Sequence, residues 1–158
     1  MVQFVDGALL FAASLGVSIM LTYESKRRIQ NIEAVIRLIE FIKRNIDSFL
    51  TPLNGIYTEY SCDVLERCGF SEEMKTQGLK SAVECGYLHL PEKMDDAFLS
   101  FAEKLGEGYR DEEVKRCEYY LGIFADLAEG EREKARKNRD LYRYIPPLGA
   151  LSLLLVFM

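Results

Sequence analysis

Four cysteines (Cys62, Cys68, Cys85 and Cys117) and a single histidine, His89, are the residues with the most evident chemical potential. A thiol nucleophile needs a histidine beside it, and His89 stands in a turn before Pro91 with no triad pattern around it. No two cysteines form C-x-x-C, so a zinc site would have to be gathered from scattered positions. The four thiols read as free, in a reducing compartment. No Gly-rich phosphate loop of the G-x-x-x-x-G-K-[ST] kind occurs, so nucleotide binding by that route is not expected. Catalytic, cofactor and metal residues are therefore expected to be none.

The carboxylates are more informative. Asp95 and Asp96, then Asp111, Glu112 and Glu113, fall at predicted helix starts, where the helix dipole favours negative charge. Acidity concentrates between Glu92 and Glu113. A solvated face accounts for it; a docking surface for a basic partner is the sharper reading. Asp111, Glu112 and Glu113 are the expected partner-binding residues.

The frame that positions these groups follows from length and charge. The chain has 158 residues and a net charge of −5, with 49% hydrophobic and 28% charged residues. That suits one ordinary domain and excludes a disordered chain. A mean hydropathy of −0.06 excludes a multi-span membrane protein, and a pI near 5.1 argues against nucleic-acid binding.

The average hides two charge-free ends. Gly7 to Tyr23 contains no charge, and the basic cluster Lys26, Arg27, Arg28 follows it. A cleaved signal peptide would have its bases before the apolar run, whereas here only Asp6 precedes it. Tyr144 to Met158 is also uncharged, with Arg143 and Tyr142 just before it. As helices the two runs reach roughly 25 and 22 Å, short but near the span of a bilayer core. Bases on the central side of both predict a hairpin with the middle in the cytoplasm. Lys26, Arg27, Arg28 and Arg143 are the expected membrane flank, in contact with lipid headgroups. The rival arrangement has one end, more readily the C-terminal one, packed on the domain or lying in the interface.

Between the ends the periodicity is helical. Ile29, Ile32, Val35, Ile36, Leu38, Ile39, Ile42, Ile46 and Phe49 form a stripe wider than a coiled-coil seam, with Arg37, Lys43, Arg44 and Asp47 off it. Thr51-Pro52 predicts a restart, Thr as N-cap and Pro as first helical residue, for a helix running to Cys68-Gly69. Ser71 is the expected cap of a third helix, from Glu72 to about Cys85. Leu88 to Pro91 is a turn. A fourth helix starts at Glu92 or Lys93 and ends before Gly106. A fifth starts near Asp111 and runs toward Arg143, with Gly122 and Gly130 weighing against one unbroken rod. The fold class is all-α: a compact cytoplasmic helical bundle between N- and C-terminal membrane segments. The divisions are an anchor over 1–23, a helical domain over 24–143 and a C-terminal membrane segment over 144–158.

The order of these features resembles the stage III sporulation protein AB family. The residues that carry the likeness are the N-terminal apolar run, Thr51-Pro52-Leu53, Leu105-Gly106 before an acidic helix start, and Lys134-Ala135-Arg136-Lys137 leading to Leu141-Tyr142-Arg143 and Leu148-Gly149-Ala150-Leu151. The chain departs from the family's usual pattern at Ile145-Pro146-Pro147 and at Glu112-Glu113-Val114, and it lacks a Trp. The resemblance implies a domain similar to the cytoplasmic domain of type II secretion platform proteins. It also implies a place in the mother-cell membrane, within a transenvelope complex between mother cell and forespore. The implied partners are a companion ATPase of the secretion type and other membrane subunits. The alternative is a membrane-anchored enzyme or envelope protein of the same hairpin topology.

Two outcomes are expected. Tags at both termini should be protected from protease added to the cytoplasmic side of sealed vesicles; two accessible tags would rule out the hairpin. His89→Ala, combined with removal of all four cysteines, should leave function intact, where a Cys–His or His–carboxylate enzyme would lose it.

Overall fold

The structure, a computed structural model, describes the backbone of residues 2–49 and 52–156 and the side chains of residues 23–47 and 52–138. Among the described residues the regular secondary structure is all helical. The elements are α1 (Val2–Phe49), α2 (Leu53–Glu59), α3 (Asp63–Arg67), α4 (Phe70–Gln77), α5 (Leu79–Glu84), α6 (Glu92–Lys104) and α7 (Arg110–Val156). The chain divides into two compact units, one of Met1–Arg27 with Gly130–Met158 and one of Arg28–Glu129. Among the described residues no helix is long and apolar enough to cross a membrane. The segments expected to span one, 7–23 and 144–158, lie outside the described side chains apart from Tyr23.

The Arg28–Glu129 unit is a helical bundle around one core. Ile32, Val35, Leu38, Ile39, Ile42 and Ile46 of α1 are all buried in it, as their spacing requires for one helix face. Arg37 and Arg44 are exposed on the other side. The rings of α4, α6 and α7 form the centre. Phe70 stacks on Phe98 at 6.0 Å, and Phe98 meets Phe124 edge-on at 6.0 Å. Tyr120 adds to the array, 5.3 Å from Phe101 and 6.5 Å from Phe124. Aromatic pairs prefer such offset and edge geometries, which gain energy beyond the area they bury.

Polar ties fix the register of α1. The buried Asn31 donates from Nδ2 to the carbonyl of Leu88, in the turn before α6. Lys43 Nζ meets Glu118 Oε1 at 2.7 Å, and Arg110 meets Asp47 Oδ1 at 3.0 Å, tying the end of α1 to the start of α7. Glu118 raises the Lys43 ammonium above its usual value.

Four expected boundaries differ. The helix expected from Thr51-Pro52 to Cys68 is two helices, because Tyr60 and Cys62 are extended. That bend sets the Tyr60 ring 5.0 Å from Phe41. Pro52 stands at the N-cap position, one residue ahead of the expected place; Thr51 lies outside the described residues. The third expected helix is also two, α4 and α5, parted by Gly78 at φ +94°, a left-handed backbone that glycine adopts without a Cβ clash. Ser71 does not cap α4. Gly69 holds the N-cap position, and Ser71 is buried inside the first turn, because the helix begins early enough to bury Phe70. In α7, by contrast, Gly122 and Gly130 do not interrupt the helix. Their cost of about 1 kcal/mol each is outweighed by the burial of Tyr120, Phe124 and Ala128 around them.

Phe98→Ala should therefore cost about 3–5 kcal/mol in urea melts, as for a large ring removed from a closed core. Burial also pushes the Cys117 thiol up from 9.0 to about 11 and the Tyr57 phenol up from 10.0 to about 12. Both groups hold their proton more tightly folded than unfolded. Their contribution is complete below the unfolded values and is lost as pH rises through the folded ones. The urea midpoint should hold up to about pH 9 and fall above it, and Cys117→Ala should remove the earlier part of that fall.

Candidate partner-binding surface

The start of α7 holds the three acids singled out from sequence, and they face different ways. Asp111 and Glu112 are exposed, while Glu113 keeps only 4% of its surface in solvent. Tyr109 precedes α7 and its carbonyl accepts from the backbone N–H of Glu112 and Glu113, both at 2.9 Å. The Glu112 side chain reaches back to the Tyr109 N–H at 3.3 Å, the carboxylate half of a capping box. Glu113 Oε1 accepts from the Gly108 N–H at 2.8 Å and from Arg116, which also donates to the Lys104 carbonyl. The buried carboxylate thus locks the α6–α7 turn from inside. Glu113 Oε2 is buried with no partner among the described residues. A Cβ on Gly108 would lie 2.8 Å from Glu112 Oε2 and 3.1 Å from Glu113 Oε1, so both carboxylates would have to shift to admit one.

The consequence of this lock is an aromatic ring held in water. Tyr109 is 85% exposed on a backbone pinned at both its N–H and its carbonyl. Exposed Glu107, Asp111 and Glu112 are its chain neighbours. The expectations from sequence did not include Tyr109. Its position between Gly108 and a charged helix start, off any apolar stripe, was the available signal.

Elsewhere in the acidic segment, Glu92, Asp95 and Asp96 open α6 and are exposed. Partial burial, then the charge of Asp96, raises the Asp95 carboxyl above its usual value. Among the expected membrane-flank residues, Lys26, Arg27 and Arg28 are exposed on α1, and Arg143 lies outside the described side chains.

The thiols and the histidine do not assemble into a site. His89 is exposed in a left-handed turn at φ +45° and makes no hydrogen bond or ion pair among the described residues. Cys117 is buried, Cys62 and Cys68 are half-buried, and Cys85 is exposed. Among the described residues no group of three His, Cys, Asp or Glu side chains could hold a metal ion.

The two kinds of acid should separate by mutation. Glu113→Ala strips the turn of its internal acceptor and leaves Arg116 without its carboxylate, at a cost of about 2–4 kcal/mol in urea melts. Asp111→Asn should change stability by less than about 0.5 kcal/mol.

A profile of the stage III sporulation protein AB family matches residues 4–158. No curated protein and no solved structure matches the chain at a significant level. The family's members are non-catalytic sporulation proteins. The match covers nearly the whole length, from the N-terminal apolar run through the bundle to the last residue, and on it the chain belongs to the stage III sporulation protein AB family.

Proposed function

We propose that the chain is a membrane platform subunit of a sporulation transenvelope complex between mother cell and forespore, coupling a companion secretion-type ATPase to the membrane assembly. The observation that carries this reading is the family match over residues 4–158. It embraces both charge-free ends and the bundle between them, the layout of a domain anchored at each side.

In this reading the bundle stands in the mother-cell cytoplasm. Lys26, Arg27, Arg28 and Arg143 hold it against anionic headgroups, at about 1 kcal/mol for each cation near the surface. The ATPase docks on the α6–α7 turn. Support comes from the pairing of a pinned, exposed Tyr109 with exposed carboxylates. Rigid aromatic side chains are preferred anchors of interfaces, since little freedom is lost when they bind. The carboxylates steer a basic surface toward the ring. Asp111 and Glu112 are the residues of this contact, with Glu107 beside them. Glu113 contributes by holding the turn.

Full-length protein in detergent should capture the companion ATPase. The variants Tyr109→Ala and Glu107→Gln/Asp111→Asn should each weaken capture at least about tenfold while melting within a few degrees of the parent. Undiminished capture by both would move the docking site elsewhere. Loss of the gene should arrest sporulation after engulfment begins, with vegetative growth normal; a growth defect without a sporulation defect would refute the reading.

A further inference from the structure

On one flank of the bundle, α1 and the α2–α3 connection enclose an open groove of about 580 Å³. Its α1 wall carries Arg37, Glu40, Phe41 and Arg44, whose spacing puts them on one helix face. The opposite wall is the extended stretch around Tyr60, followed by Asp63. The half-buried Phe41 ring, backed at 5.0 Å by the buried Tyr60 ring, supplies its aromatic surface. Little of the charge is used within the chain. Glu40, Arg44 and Asp63 make no hydrogen bond or ion pair among the described residues. Among the described residues Arg37 is held by Glu33 alone, one turn earlier, through a 3.8 Å pair and a bond from Nε to its carbonyl. Such an exposed pair exchanges readily.

We propose that this groove seats an amphipathic helix of a different polypeptide carrying an acid–base–acid stripe. Two carboxylates seven residues apart lie opposite Arg37 and Arg44. A Lys or Arg between them faces Glu40, and an apolar side chain rests on the Phe41 ring. Arg37 and Arg44 are about 10.5 Å apart along α1. A helix alongside repeats that distance at its own i and i+7, with i+3 or i+4 between them. An extended strand presents same-face residues at about 7 and 14 Å and misses it.

The sign pattern also argues against a second copy. This step rests on the membrane-anchored reading above. Two chains anchored by the N-terminal part of α1 in the same membrane present the rest of this helix in parallel. In register, Arg37 then meets Arg37 and Glu40 meets Glu40, a repulsive pairing. A partner of reversed sign is attracted at each position.

The test uses the full chain in detergent micelles and two labelled synthetic helical peptides of equal length and composition. One bears an acid–base–acid stripe and the other a base–acid–base stripe. Fluorescence anisotropy should show at least about tenfold tighter binding of the first. The R37E/E40K/R44E chain should reverse the preference. If that chain does not melt cooperatively, Arg44→Glu alone should narrow the preference, and Phe41→Ala should weaken the first peptide. Equal binding of both peptides, or a preference unmoved by these charge changes, would overturn the proposal. So would self-association of the parent chain that Arg44→Glu abolishes. ATPase capture through the α6–α7 turn is measured separately, so either reading can fail without the other.

Discussion

One face of α1 governs the bundle. Six branched aliphatic residues, from Ile32 to Ile46, leave water together, so the remaining helices of the unit must supply a surface to cover them. Short helices and α7 do this with large side chains. Phe70, Met74, Leu79, Met94, Phe98 and Phe124 come from four different helices and meet in one cluster. The breaks in the chain follow from that demand. The bend at Tyr60 and the left-handed Gly78 turn the backbone so that each short helix keeps its apolar face inward. Short helices are marginal alone, and packing supplies the stability their length cannot.

Charge in this unit divides by burial. Glu113 and Asn31 are spent inside, on a turn and on a tie between distant parts of the chain. Lys43–Glu118 and Asp47–Arg110 are exposed pairs of small energy, which fix the alignment of α1 with α7 more than they stabilise it. Asp111 on the turn and Glu40 and Arg44 on the groove make no side-chain hydrogen bond or ion pair among the described residues.

Much of this was legible in the sequence because helical periodicity reports burial directly. The α1 stripe, the start of α6 at Glu92 and the turn from Leu88 to Pro91 needed only spacing, proline and glycine. The splitting of two expected helices was not legible. Tyr60 and Leu79 sit at helical spacing on either reading, and only their distant neighbours decide where the chain bends. Ser71 shows the same limit, since its type suits a cap and the burial of Phe70 overrides it.

The sequence by itself determined the helical class, the stripe that makes the core and the uneven placement of charge, because these depend on residue type and local period. The tertiary structure decided which of three adjacent acids faces inward. Asp111, Glu112 and Glu113 are chemically alike, and a helix turns by about 100° at each step, so consecutive side chains point in different directions. Only the position of the α6–α7 turn and of Arg116 makes Glu113 an internal acceptor and leaves Tyr109 standing in solvent.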